Sequence, residues 1–328
     1  MRKISKFLGA LFFTFFTLSQ LIAGSLKSID HKNTHLIDVD IKRPQLTVLS
    51  NLVYSQPQIY GYENTSLQMD IMMPKDAKKP LPTLLFIPGG AFVSANINKN
   101  FQLKVDIAEA GFAVASISYR VVPSAIFPSQ IEDAKSAVRF LRANAKRFNI
   151  DTENIAVMGS SAGGFFSAMV GVTNDKKEFD KGENLNYSSS VKAVVDLFGP
   201  SDLTQIGYGS PKFIQNLHYD SSSPESVLVN GMALIQRTSG GILTNPERAA
   251  KANPINYITN KTPPFLVMVG DADTRVAANQ SELLHDALIE KGVDSTFYIL
   301  KGAGHGDLPW AQTDVSNIII EFLNKKLK

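Results

Sequence analysis

The sequence predicts an α/β fold, a mostly parallel twisted sheet with helices on both faces. Three observations predict it. Apolar stretches at residues 83–87, 113–118 and 155–158 have the length and composition of buried strands, and 191–198, 265–269 and 295–300 read as further strands. Helical stretches at 102–110, 131–148, 279–291 and 313–327 alternate with them, the pattern of a wound sheet. Glycines and reactive side chains sit in the loops just after the runs, at the carboxyl ends of strands, where such sheets gather their chemistry.

The 328 residues are 44% hydrophobic and 19% charged, a globular balance sufficient for one large domain. Cysteine is absent, which excludes disulfides, thiolate metal sites and lipidated cysteines. Arg2, Lys3 and Lys6 account for the whole formal charge of +3. The remainder is neutral, so the basic balance is not a nucleic-acid footprint.

The elements follow in order. Residues 1–24 have a basic start, an apolar Phe- and Leu-rich stretch and a small-residue end at Ala23 and Gly24. This is the pattern of a secretory signal peptide, so the chain is expected to be exported, with 25–328 as the mature domain. Membrane attachment is expected only if that segment stays uncleaved. Residues 25–50 show no clear periodicity. Residues 59–73 read as two strands around a turn at Glu63 and Asn64, with Leu67, Met69 and Ile71 alternating. A polar, proline-bounded turn leads to the 83–87 strand, which ends at Pro88-Gly89-Gly90-Ala91-Phe92. The helix at 131–148 has an apolar stripe of Ala134, Val138, Leu141 and Ala145, with arginines and lysines on its other face. Residues 203–253 are irregular and too long for a plain loop, and read as a cap or insertion beside the site.

The chemistry centres on Gly159-Ser160-Ser161-Ala162-Gly163. Strand, sharp turn and helix around Gly-x-Ser-x-Gly are the setting of a nucleophile elbow, with Ser161 lifted clear of the sheet. A serine hydroxyl needs a base to take its proton, and histidine titrates in the right range. Of five histidines, His31 and His35 precede the domain, His218 falls in the irregular segment, and His285 lies within a helix as a surface residue. His305 sits in a glycine-rich loop after the last strand. Asp271 and Asp273 both follow the 265–269 strand, and Asp273, farther into the loop, is favoured to orient the base, with Asp271 structuring the loop. The resulting order Ser, Asp, His is that of α/β-hydrolases. The amides of Ala162, Gly90 and Ala91 are the expected oxyanion donors. The few scattered histidines form no metal-ligand cluster, and no phosphate-loop or dinucleotide fingerprint is present.

Taken with Phe127-Pro128-Ser129-Gln130-Ile131-Glu132-Asp133-Ala134-Lys135, Val138-Arg139-Phe140-Leu141-Arg142, Pro263-Pro264-Phe265, Gly270-Asp271-Ala272-Asp273 and Gly302-Ala303-Gly304-His305-Gly306, these motifs resemble bacterial esterases related to hormone-sensitive lipase. Among them the chain is most similar to the exported acetyl- and feruloyl-esterases of plant polysaccharides. The resemblance spans about residues 60–325. It implies carboxylic ester hydrolysis of small or carbohydrate-linked substrates without a cofactor, with Ser161, Asp273 and His305 as triad and Gly90, Ala91 and Ala162 as oxyanion donors. The loop opens with Pro88 where the family usually has histidine, and Ala277 stands where a proline is frequent. An exopeptidase of the prolyl-oligopeptidase kind and a catalytically inactive binding protein are the alternatives. The lack of a large N-terminal propeller-like region weighs against the first, and the complete Ser, Asp, His set against the second.

Overall fold

The computed structural model describes residues 33, 35, 37–59 and 63–328. The leader expected at 1–24 and His31 lie outside them. The chain divides after Lys42 into two units, and the second, Arg43–Lys328, contains the elements below.

Ten strands are described there: β1 (Leu46–Ser55), β2 (Gln58–Ile59), β3 (Glu63–Asn64), β4 (Leu67–Pro74), β5 (Leu81–Ile87), β6 (Ala113–Ile117), β7 (Ile150–Ser160), β8 (Ala193–Leu197), β9 (Phe265–Gly270) and β10 (Ser295–Leu300). Eight form one sheet in the order β1-β4-β6-β5-β7-β8-β9-β10. From β6 to β10 every neighbouring pair is parallel, while β4 runs antiparallel to both β1 and β6. After β5 the chain goes first to β6 on one side and then to β7 on the other. This reversal opens a crevice at the carboxyl ends of the strands.

All the strand runs but the last lie inside the sheet with both faces covered; 295–300 forms β10 at its edge, where Tyr298 and Ile299 are exposed. In β5, Leu85 and Ile87 enter one apolar layer, and Leu84 and Phe86 the other. Helices α1 (Phe101–Glu109) and α10 (Thr313–Leu327) close the second layer with Leu103, Ile107, Ile319 and Leu323. Helices α2 (Ser129–Ala143), α4 (Ala162–Val172) and α9 (Asn279–Glu290) close the first. Each such fully buried aliphatic or aromatic side chain contributes about 1.5–3 kcal/mol.

The segment that the sequence leaves irregular is largely helical: α5 (Lys212–Tyr219), α6 (Pro224–Asn230), α7 (Ala233–Gln236) and α8 (Pro246–Ala252). Its base is pinned through Asp202. That residue's N–H and the N–H of Ser201 both donate to Gln280 Oε1, and its carboxylate accepts from Asn253 Nδ2 at 2.6 Å.

Four expectations are corrected. Glu63 and Asn64 are not a turn; they pair with Gln58 and Ile59 as a small ribbon. The end of the 25–50 stretch, read without periodicity, belongs to an edge strand over 46–55: left-handed Asn51 (φ 59°) lies where the register with β4 shifts, so the alternation changes phase. The 131–148 helix breaks at Asn144, whose side-chain amide donates to the Phe140 carbonyl at 2.9 Å, and resumes as α3 (Ala145–Phe148). The basic face of α2 is partly buried, because residues 173–190 lie over it. Lys135 donates to Thr173 O at 2.7 Å, and Arg139 donates to Asp180 Oδ1 at 3.0 Å and to the carbonyls of Glu183 and Lys181. Burial lowers the Lys135 pKa to about 8.

Candidate active site

Strand β7 ends at Ser160 and α4 starts at Ala162, so Ser161 is the single residue of the elbow. Its backbone takes φ 55° and ψ −124°, which side chains rarely tolerate. The flanking glycines explain how the turn closes. A Cβ on Gly159 would lie 2.2 Å from the Gly163 carbonyl oxygen, and one on Gly163 would lie 2.0 Å from that of Ile87. The elbow is thus packed backbone to backbone against the end of β5.

The structure brings the three expected side chains together. Ser161 Oγ lies 2.8 Å from His305 Nε2, and His305 Nδ1 lies 2.6 Å from Asp273 Oδ2. The other oxygen of Asp273 accepts from the amides of Arg275 and Val276 at 2.9 and 3.0 Å. The Asp273 carboxylate is fully buried, and the imidazole is 13% exposed. With Nδ1 on a carboxylate, the neutral ring carries its proton there, which leaves Nε2 to accept from the serine hydroxyl. Asp271 accepts instead from the Gly302 amide at 2.6 Å. His285 is half-buried rather than on the surface, stacked on Phe297 and 2.8 Å from Ser295 Oγ.

Gly90, Ala91 and Ala162 all line the cavity beside Ser161. Among the described residues their amides donate no backbone hydrogen bond, so they remain free for a ligand oxygen. Ala162 also begins a helix, whose N-terminal amides favour developing negative charge. The loop opens with Pro88 and is anchored by Tyr119, whose hydroxyl donates to the Pro88 carbonyl at 2.8 Å. Gly90 O accepts from the amides of Val93 and Ser94, and the Phe92 ring packs edge-on against Phe165 and Phe166.

Backbone strain marks the same place. Of the described non-glycine residues with positive φ, those that are neither asparagine nor arginine are Ala91 (50°), Phe92 (62°), Ser161 (55°) and Phe198 (47°). All four line the cavity. Each such residue costs about 1–3 kcal/mol, and such costs cluster at working sites.

The cavity has a volume of about 910 Å³. Cap residues Leu217, His218, Ser223 and Glu225 form part of its wall. His218 Nδ1 lies 3.0 Å from Glu225 Oε1, and this contact raises the imidazole pKa against the opposing effect of burial. Beneath the elbow, Asp196 is fully buried, and desolvation raises its pKa to about 7 although the Gly199 amide donates to it at 2.9 Å. Among the described residues no group of three or more His, Cys, Asp or Glu is placed to hold a metal ion.

Sequence reasoning missed Tyr119, Phe198, Trp310 and the His218–Glu225 pair. Only Trp310 carried a visible signal, as the single tryptophan, five residues after His305.

A sheet reversed about its central strand, with a strained serine on the first residue before a helix, makes this protein an α/β-hydrolase. The BD-FAE family model matches residues 69–288, and the chain belongs to that family. It is 33% identical over 260 residues to Esterase LipC of Mycobacterium tuberculosis, covering 77% of this chain. The match spans 60% of LipC and 53% of Esterase LipQ from the same organism, so it covers little more than half the length of these curated relatives. Among solved structures it is similar to a truncated carbohydrate esterase from gut microbiota, with 31% identity, a TM-score of 0.73, and coverage of 87% of this chain and 99% of that one. A bifunctional GH43-CE protein of Bacteroides eggerthii is 29% identical with a TM-score of 0.73, over 86% of this chain and 38% of its own length.

Proposed function

We propose that the protein is a serine carboxylic-ester hydrolase working through an acyl-enzyme, with Ser161 as nucleophile, His305 as general base and acid, and Asp273 as the group that orients it. The observation that carries the reading is the unbroken series of contacts from Ser161 Oγ through the imidazole to a buried carboxylate. Ser161 Oγ attacks the ester carbonyl carbon while its proton passes to His305 Nε2. The carbonyl oxygen becomes an oxyanion beside the amides of Ala162 and of Gly90 or Ala91. His305 then protonates the leaving alcohol, which departs as the carbonyl re-forms. Water then attacks the acyl carbon while His305 Nε2 takes its proton, and the second tetrahedral intermediate collapses by breaking the bond to Ser161 Oγ, to which His305 returns the proton as the acid leaves.

The substrates are short-chain or carbohydrate-linked acyl esters, acetyl or feruloyl. Support comes from the carbohydrate esterase among its structural neighbours and from a cavity large enough for more than a small alcohol. The leader-like residues 1–24 support export.

The test is steady-state hydrolysis of p-nitrophenyl acetate and of acetylated xylan, with Ser161→Ala as control. Hydrolysis of both by the wild type and of neither by the variant is the expected result. Undiminished hydrolysis by Ser161→Ala refutes the assignment, and cleavage of an aminoacyl amide in preference to any ester transfers it to an exopeptidase.

A further inference from the structure

We infer that Phe198 is the positioning residue that fixes the His305 imidazole between nucleophile and acid; the inference rests on the esterase reading. Three separate observations meet at this residue.

The first is the direction of its side chain. Along β8 the side chains alternate as they must in an extended strand: Val194 joins one apolar layer, and Val195 and Leu197 the other. Continued alternation would send residue 198 to the Val194 side. The left-handed φ of 47° breaks the alternation, and Phe198 instead shares the layer of Leu197, Ala303 and Trp310. The unfavourable backbone thus turns the ring towards the histidine loop.

The second is what the ring meets there. Its centroid lies 4.8 Å from that of His305 at 63°, and 4.4 Å from that of Trp310 at 67°. Trp310 in turn donates from Nε1 to the Gly304 carbonyl at 2.8 Å. The segment Gly304–His305–Gly306 is therefore backed by two packed aromatic rings. Gly306, with φ 69°, lies so near that a Cβ there would be 3.4 Å from Phe198 Cζ.

The third is the peptide unit joining Leu197 and Phe198. Its carbonyl accepts from the Ser161 amide at 2.8 Å, and its N–H donates to Met268 O, on the strand that leads to Asp273, at 2.7 Å. One peptide and one side chain thus touch the nucleophile's backbone, the acid's strand and the base. Phe198 is 3% exposed and lines the cavity, so its ring also keeps water from the side of the imidazole it packs against.

The test compares Phe198→Ala, Phe198→Leu and Phe198→Gly for p-nitrophenyl acetate turnover and for the rate of fluorophosphonate labelling of Ser161. Removing the ring frees the imidazole to leave its alignment, so Phe198→Ala loses at least about tenfold in kcat with KM within about twofold, and labelling slows in parallel. Phe198→Leu recovers most of the rate. Phe198→Gly, free of the left-handed penalty, stays as slow as Phe198→Ala. Turnover within about twofold of wild type in Phe198→Ala, or a wild-type rate in Phe198→Gly, overturns the inference. Should Phe198→Ala not fold, the series Phe198→Leu and Phe198→Val decides: turnover that falls with side-chain size supports it, and equal turnover overturns it. A wild-type protein that neither hydrolyses nor labels refutes the esterase reading itself, before any Phe198 variant is compared.

Discussion

Substituting Gly163 by alanine separates the geometry of the elbow from its stability. The added Cβ would lie 2.0 Å from Ile87 O and 2.8 Å from the carbonyl carbons of Ile87 and Pro88. Ordinary contact begins at 3.4 Å, so the elbow and the end of β5 must part by about 1.4 Å. All the atoms met are backbone, and no rotamer change relieves the clash. Overpacking of this kind costs about 1–3 kcal/mol of stability. The larger effect falls on function, because Ile87 and Pro88 lead directly into Gly90 and Ala91 while Gly163 follows Ala162. A separation of that size takes the two halves of the oxyanion site out of register. Loss of one donor is worth about 10²–10³ in kcat, or roughly 3–4 kcal/mol. The assay is kcat and KM for p-nitrophenyl acetate alongside urea unfolding, with Gly171→Ala as control. A Cβ on Gly171 meets Val194 Cγ2 at 2.3 Å, a clash inside the core that should lower stability and leave turnover near wild type. A Gly163→Ala protein with kcat within about threefold of wild type would refute the claim that both halves must stay in register.

Further outcomes follow from the surroundings. Tyr119→Phe removes the hydroxyl on Pro88 O and should lower stability by about 1 kcal/mol and kcat by about tenfold; steady-state kinetics showing an unchanged rate would leave the oxyanion loop anchored elsewhere. Asp196 stays protonated to about pH 7 in the folded protein, against an ordinary 3.8. The folded state therefore binds the extra proton, and the stability this supplies is complete below about pH 3.8 and lost as pH rises to about 7. The advantage of Asp196→Asn over wild type in urea unfolding should grow by up to about 4 kcal/mol from pH 4 to pH 8, and a flat difference contradicts the assignment. Arg139→Met leaves Asp180 without its guanidinium partner and should cost about 3 kcal/mol in unfolding while kcat for the folded fraction is unchanged.

Much of this was legible in the chain because central strands of a wound sheet are buried on both faces. Residues 84–87 and 265–269 are apolar without interruption for that reason, and the glycines after them mark the loops that carry Gly90 and Asp273. Legibility failed where contacts run through space. A helical reading of 131–148 places Lys135 and Arg139 opposite the apolar stripe but says nothing of residues 173–190, which cover them. The bulge at Asn51 hides β1 by shifting its alternation. Phe198 reads as one more apolar residue of a strand, since nothing in its neighbours shows that the backbone turns it round.

The most direct test of the central claim is the mass spectrum of the folded protein after treatment with a fluorophosphonate, followed by peptide mapping. One adduct on Ser161, formed far more slowly in His305→Ala, is the predicted result. Absence of an adduct on folded protein, or an adduct on another serine with Ser161 untouched, would contradict it.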